Sequence, residues 1–208
     1  MILYRQGSRG AMVAQIQRAL HLKDDGIFGP LTTEAVKDFQ SAHSLTVDGI
    51  VGPATLALLI PARLKTSKRH INEIIIHCTD TEDGRDYTID DVRQWHTLPP
   101  PKGRGWSDVG YHYLIYRNGS VVAGRDVDQA GAHCKGHNSY SIAVCYVGGR
   151  GKDGKCRDTR TIQQRAAMTN LLIELRLRYP QAVIVGHSFW DPSKECPCFD
   201  AAKEYKNC

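Results

Sequence analysis

Apolar positions recur with helical spacing through the first 60 residues of the chain. Val13, Ile16 and Leu20 are three and four positions apart, which is the repeat of one buried helix face. Two later groups have a similar spacing: Ala35, Val36 and Phe39, and then Leu56 and Leu59. Residues 1–60 therefore predict three short helices around a small core of their own.

The same turn sequence stands between these helices twice. Residues 25–32 read DGIFGPLT and residues 48–55 read DGIVGPAT. Asp-Gly favours a tight turn, and Pro is well tolerated in the first turn of a helix. The repeat thus predicts two equivalent turns, each of which leads into a new helix.

A change of composition separates this unit from the rest of the chain. Residues 61–70, PARLKTSKRH, are rich in basic residues and poor in apolar ones, which is typical of a linker. We therefore expect domains at 1–60 and 71–208, joined by a linker at 61–70.

Strand-like and helix-like segments alternate after residue 70. Apolar, β-branched runs predict strands within 71–80, 108–125, 141–149 and 182–188, and Asn118-Gly119 predicts a hairpin turn with positive φ at both residues. Residues 88–99 and 161–180 begin with Thr, a good N-cap, and predict helices. The predicted core face of the second helix comprises Ile162, Ala166, Leu171, Leu172, Leu175 and Tyr179. This alternation predicts an α/β domain with a mixed central sheet flanked by helices.

Composition and charge narrow the possible functions only a little. The 208 residues carry a formal charge of +5, which suits an anionic polymer such as nucleic acid or cell wall, but no basic run indicates a nucleic-acid groove. No apolar run approaches the ~20 residues that span a bilayer, and the first residues lack a signal-peptide pattern. We expect a protein made in the cytoplasm, without membrane insertion. The seven cysteines, without secretory context, predict reduced thiols or metal ligands instead of disulfides.

Three residues form a candidate metal site. His77 and His187 each follow a predicted buried strand, and Cys196 lies nine residues beyond His187 in a proline-containing loop. Two imidazoles and a thiolate suit zinc, and three protein ligands leave a fourth position open. A competing set is His112, His133, Cys134 and His137, but the last three lie in a Gly-containing loop without rigid strand-end placement. Any single His or Cys is more often an ordinary core or surface residue.

The first 60 residues resemble the peptidoglycan-binding three-helix repeat module of bacteria. The resemblance rests on GSRGAMVAQIQRAL at 7–20 and DGIFGPLT at 25–32. It implies that this unit binds peptidoglycan, with the repeated turns as the contact. The alternative is an unrelated helical cap that only stabilises its neighbour.

Residues 71–202 resemble the zinc-dependent N-acetylmuramoyl-L-alanine amidases of phage-lysozyme type, relatives of the peptidoglycan recognition proteins. The matching blocks are IIIHCTDT, the stretch from QWHTLPPP to VVAGRD, GAHCKGHNSYSIAVCYVGG and VGHSFWDPSKECPCFD. This resemblance implies Zn²⁺ ligands at His77, His187 and Cys196. It implies that Tyr111 assists the zinc-activated water and that Lys194 stabilises the scissile carbonyl. It also implies substrate contacts at His133, Asn138 and Trp106.

Two positions depart from the family pattern. The stretch from His187 to Cys196 is one residue longer, so the loop around Trp190 is expected to bulge. Cys198 stands where Ser or Gly is usual and could compete for the metal or oxidise with Cys196.

The two resemblances together imply one function. They imply a monomeric, endolysin-like peptidoglycan hydrolase of phage origin, anchored on the wall by its N-terminal module. The bond cleaved is the amide between N-acetylmuramic acid and L-alanine. The alternatives are a non-catalytic recognition protein and an intracellular amidase of cell-wall recycling. The sequence neither supports nor excludes a further regulatory role through binding to a polymerase.

Overall fold

The computed structural model describes residues 3–59, 64–206 and 208. Three helices form the N-terminal unit, as the apolar spacing predicted: α1 (Ala11–Ala19), α2 (Pro30–Ala42) and α3 (Pro53–Leu59). Their small core consists of Val13, Ile16, Phe28, Val36, Val51 and Leu59. Both helices that follow a repeated turn begin at its proline.

A buried glutamine holds each repeated turn in place. The Gln17 side-chain amide donates to Asp25 Oδ1 at 2.8 Å and to the Ile27 carbonyl at 3.0 Å, while its oxygen accepts from Gly26 N at 2.8 Å. Gln40 makes the same bonds to Asp48, Ile50 and Gly49. These hydrogen bonds are enough to explain why the turn sequence is repeated. Contact of the two turns with a polymer stays a prediction.

The second part of the chain is built on a five-stranded mixed sheet of order β4-β3-β5-β1-β7. The β3–β4 pair is antiparallel and the other pairs are parallel. The strands are β1 (Glu73–Cys78), β3 (Tyr113–Ile115), β4 (Val121–Ala123), β5 (Ser141–Tyr146) and β7 (Val183–Gly186). A separate two-stranded pair, β2 (Thr81–Glu82) with β6 (Gly149–Arg150), was not predicted.

Two longer helices flank the sheet, and each begins with a capping box. Thr88 and Asp91 cap α4 (Ile89–Thr97), and Thr161 and Gln164 cap α5 (Ile162–Arg178), so both predicted N-caps are confirmed. The one-turn helices α6 (His187–Trp190) and α7 (Ala201–Glu204) were not predicted. No helix in the described ranges is long and apolar enough to cross a membrane.

Alternation along β1 divides the sheet into two faces. Ile74, Ile76 and Cys78 join the main core with α5, so Glu73 and His77 project to the opposite face. The α5 side of this core consists of Ala167, Met168, Leu171, Leu172 and Leu175. The prediction that Ile162 lies in the core was wrong: the residue is 64% exposed. It is the first residue of α5, ahead of the stripe that meets the sheet.

The hairpin between β3 and β4 differs in detail from its prediction. Gly119 has a φ of 83° and donates its N–H to the Tyr116 carbonyl at 2.9 Å, but Asn118 stays outside the left-handed region. One glycine with positive φ suffices because the loop is longer than a two-residue turn.

The expectation of reduced thiols or metal ligands instead of disulfides was wrong for two of the cysteines. Cys156 and Cys198 form a disulfide, 42 residues apart in sequence with their Cα atoms 5.5 Å apart. All seven cysteines are described, and Cys196 is among the five that remain free. Cys198 therefore pairs with neither Cys196 nor a metal. Sequence spacing missed this because the loop after β6 is brought to Cys198 only by the sheet.

The predicted linker is partly packed on the second domain. Its residues 61–63 lie outside the described residues. Leu64 and Ser67 are buried, and Ser67 Oγ donates to the Val127 carbonyl at 2.6 Å. Lys65 pairs with Asp126 and Asp128, each at 2.8 Å. Residues 64–67 thus belong structurally to the sheet domain, and α3 lies against α5.

We expect Cys156→Ser to lower the free energy of unfolding by about 3–4 kcal/mol, because the disulfide closes a loop of roughly 40 residues in the unfolded chain. Urea unfolding of the oxidised protein measures this loss. The same comparison in excess reductant is the control, where wild type and variant should coincide. Equal stabilities under oxidising conditions would contradict the prediction.

Candidate metal centre

Three side chains from separate segments converge on the open face of the sheet. His77 is on β1, His187 is the first residue of α6 directly after β7, and Cys196 is in the following loop. Their potential ligand atoms all lie within 4.8 Å of one another. His77 Nδ1 is 3.8 Å from Cys196 Sγ, and the rings of His77 and His187 are 4.6 Å apart. Among the described residues, the structure brings this one group of potential ligands together.

Pairing of neighbouring strands explains how these residues meet. β1 and β7 run parallel, so His77 and His187 leave the same end of the sheet. Gly186 lets the Cys196 segment approach, because a Cβ at Gly186 would lie 2.5 Å from Pro197 Cδ. Ser188 N donates to the Cys196 carbonyl at 2.9 Å and fixes the loop on α6.

A hydrogen-bonded chain runs from His77 into the protein. His77 Nε2 lies 3.0 Å from His133 Nδ1, and His133 Nε2 lies 3.2 Å from Ser141 Oγ. Ser141 Oγ donates to the His137 carbonyl at 2.7 Å. One set of tautomers satisfies every bond: His77 Nε2–H donates to His133, whose Nε2–H donates to Ser141. This arrangement leaves the lone pair of His77 Nδ1, the atom that faces Cys196, free to bind a cation.

The remaining residues that were predicted for the site lie at different distances from the three potential ligands. The Tyr111 ring lies 5.2 Å from the His77 ring, and Lys194 is exposed in the turn after Asp191. His133 is buried behind His77. Asn138 Oδ1 accepts from the His133 and Cys134 amides, so Asn138 holds the loop.

Trp106 reaches the cluster only through other rings. It packs on His96 at 4.8 Å, and His96 lies 5.3 Å from the Tyr111 ring. The buried His96 was not singled out from the sequence, and neither was Ser141. Ser141 could have been found from the sequence, because it is a polar residue at the start of an apolar strand.

The competing set of potential ligands does not form a site. His112 Nδ1 accepts from Ala143 N at 2.9 Å, and its Nε2 contacts the Gln129 carbonyl at 3.0 Å. His137 Nδ1 contacts the Glu73 carboxylate at 2.9 Å. Cys134 packs with apolar residues. These side chains are therefore used in the fold.

Burial controls the protonation of the cluster. It lowers the pKa of His77, with His133 and His187 contributing, and it lowers the pKa of His187. The Cys78 side chain and burial raise the pKa of the Cys196 thiol, and burial raises the pKa of Tyr111. Cys78 N also donates to Cys196 Sγ at 3.1 Å. Neutral imidazoles and a half-buried sulfur therefore form a cluster of electron-pair donors.

Comparison with known protein families identifies the class of protein to which this fold belongs. A family model described as "N-acetylmuramoyl-L-alanine amidase" matches residues 67–199. A second, described as "Putative peptidoglycan binding domain", matches residues 9–59.

Relatives and a solved structure of known type agree with the amidase match. The endolysin of Enterobacteria phage K11 is 43% identical over 141 residues, covering 68% of this chain and 89% of its own length. The endolysin of Escherichia phage T7 is 40% identical over 67% of this chain and 89% of its own. The structure of N-acetylmuramoyl-L-alanine amidase LysC from Clostridium intestinale has a TM-score of 0.53 at 22% identity, covering 69% of this chain and 91% of that one, which shows the fold.

The chain belongs to the N-acetylmuramoyl-L-alanine amidase family. It is an endolysin-like peptidoglycan hydrolase with an N-terminal peptidoglycan-binding module.

The fully buried His112 predicts that acid destabilises the metal-free fold. Burial, with Arg69 and Arg125 nearby, lowers its pKa to about 4 from an ordinary value of 6.5. Below about pH 6.5 the unfolded chain therefore binds a proton that the folded chain takes up only near pH 4. We expect this histidine to remove about 3 kcal/mol of unfolding free energy between those values.

Urea unfolding of chelator-treated protein across this range measures the effect. The other buried histidines act in the same direction, so His112→Asn isolates the share of His112. The variant should depend less steeply on pH than wild type, and parallel curves would refute the assignment.

Proposed function

We propose that this amidase is zinc-dependent and that His77, His187 and Cys196 hold the metal. The observation that carries the proposal is the convergence of two imidazole nitrogens and one sulfur from three segments. The chain would act as a monomer on the cell wall.

The donor set fits zinc in its chemistry, and the pair of His77 and Cys196 also fits in spacing. Zn–N bonds near 2.05 Å and Zn–S bonds near 2.3 Å, in tetrahedral geometry, separate the N and S donors by about 3.6 Å. His77 Nδ1 and Cys196 Sγ are 3.8 Å apart. Three protein donors are typical of catalytic zinc, which keeps one position for water or substrate.

The protein's own residues would position and stabilise the reacting groups. When bound, zinc supplies a Lewis acid for the amide carbonyl and lowers the pKa of a water molecule. Tyr111, whose raised pKa keeps the phenol neutral, would orient that water or the substrate by a hydrogen bond. Lys194, two residues before Cys196, would place a positive charge near the oxygen that becomes negative.

His133 is proposed to orient a metal ligand. It is 9% exposed, and Nδ1 is directed at His77 Nε2. Outer partners of this kind fix the tautomer and ring orientation of a ligating histidine. The burial of His133 favours this role over the substrate contact that the family resemblance implied.

The N-terminal module would raise the local concentration of the amidase on an insoluble polymer. Binding through residues 1–60 makes the encounter between residues 71–208 and a wall peptide effectively intramolecular. The packed residues 64–67 would limit how far the two parts can separate.

Digestion of purified sacculi tests the proposed metal site. Wild type should free L-alanine amino groups and contain one zinc per chain. Cys196→Ser should lose both, while Cys208→Ser, outside the cluster, should lose neither. Lys194→Met should keep its zinc but slow amide cleavage by about 10²–10³-fold, as loss of an oxyanion-stabilising group does.

Two results would overturn the proposal. Full activity after zinc removal by a chelator would exclude the metal mechanism. Zinc binding without release of L-alanine would instead indicate a recognition protein that binds peptidoglycan without cleaving it.

The role of His133 is tested by zinc affinity, measured by competition with a chromogenic chelator. His133→Ala should weaken zinc binding by about 10–100-fold, since an outer partner of a ligand is lost. His133→Asn keeps an acceptor close to the position of Nδ1 and should restore most of the affinity. An unchanged zinc affinity with a raised KM in His133→Ala would return this residue to the substrate groove.

A further inference from the structure

Two large aromatic side chains are exposed two and three residues after His187, one of the proposed metal ligands. Phe189 is 59% exposed and Trp190 is 39% exposed, although both are of a type that proteins usually bury. They occupy α6, the one-turn helix that begins at His187. Exposed apolar side chains grouped at a cleft commonly mark a ligand-binding surface.

The fold holds this aromatic pair in a fixed orientation. The Trp190 ring stacks on the His137 ring at 4.2 Å and 25°, and the Phe189 ring meets Trp190 edge-on at 4.8 Å. His137 is in turn bound to the Glu73 carboxylate of β1. Because the rings are already supported, a ligand that packs on them would lose little side-chain entropy on binding.

The substrate carries a sugar next to the amide that is cleaved. The amide that an N-acetylmuramoyl-L-alanine amidase cleaves joins the peptide to the lactyl group of a muramic acid. Trp190 follows His187 by three residues on one helix, a rise of about 4.5 Å. When the amide lies at the cluster, a sugar ring therefore lies within reach of α6.

The character of the surface suits a sugar better than the stem peptide. Residues 187–193 carry one formal charge, the negative charge of Asp191. The stem peptide has free carboxylates, which such a segment would not attract. The C–H face of a pyranose is apolar, and its slightly positive hydrogens match the negative face of an aromatic ring.

We propose that Phe189 and Trp190 form a platform for a sugar ring of the glycan strand adjoining the scissile amide. The inference rests on the proposed function, because the metal cluster defines where the amide lies.

The first test reads sugar binding without catalysis. The chain has three tryptophans, Trp95, Trp106 and Trp190, and none lies in residues 1–60, so the N-terminal module adds no indole signal. In ¹⁵N-labelled, metal-free protein, Trp190→Phe identifies the Trp190 indole N–H resonance. A peptide-free GlcNAc–MurNAc disaccharide should shift this resonance and leave that of Trp95 in place. A Trp190 resonance that moves with free stem peptide, but not with disaccharide, would overturn the proposal.

The second test compares two soluble substrates of the zinc-loaded protein. One is a disaccharide-peptide, and the other is the same peptide carrying an N-lactyl group without sugar. Trp190→Ala should raise KM for the disaccharide-peptide about tenfold or more, as truncation of a central aromatic contact does, and leave the sugar-free substrate unchanged. Trp190→Phe should stay within about threefold of wild type.

The control variant is Leu177→Ala, which removes a 79% exposed apolar side chain from α5 and should change neither KM. Equal losses on both substrates, or loss of zinc from Trp190→Ala, would mean that the ring only supports the metal centre and would overturn the proposal. If the zinc mechanism itself failed, the indole shift would still report on sugar binding, so the two failures are distinguishable.

Discussion

Parallel pairing of β1 with β7 is the constraint on which the site depends. The pairing brings His77 and His187 out at the same end of the sheet, and their rings lie 4.6 Å apart. A glycine at position 186 then admits the Cys196 segment against the strand. The backbone sets the spacing of the donors, so little side-chain rearrangement is needed to bind a cation.

The polar groups behind His77, His187 and Cys196 are also held in place by hydrogen bonds. His77, His133 and Ser141 form one hydrogen-bonded chain that ends on a backbone carbonyl. The loop that carries His133 is held by Asn138, and the disulfide between Cys156 and Cys198 ties the segment beyond Cys196 to the loop after β6. The cluster of His77, His187 and Cys196 is thus supported from two sides, while the aromatic side chains of α6 stay exposed.

In each part of the chain, the arrangement of buried polar and apolar residues determines the local structure. In the helical module, a buried glutamine satisfies the backbone of each repeated turn, so one sequence motif serves twice. In the amidase domain, strand alternation places one set of apolar residues against α5 and puts His77 on the opposite face of β1, together with the buried Ile75. A peptidoglycan hydrolase obtains from this combination a small anchor and a rigid reaction surface.

The sequence by itself determined the three helices, the capped α4 and α5, the principal strands and the mixed sheet, because local spacing and capping residues encode these features. It also singled out His77, His187 and Cys196 from their positions after strands and in a proline-containing loop, and the family resemblance strengthened that choice. The tertiary structure alone decided the disulfide, the burial of His133 behind His77, the exposure of Ile162, and the contacts of Ser141 and His96. These features depend on which distant segments meet, and neither periodicity nor spacing along one chain carries that information.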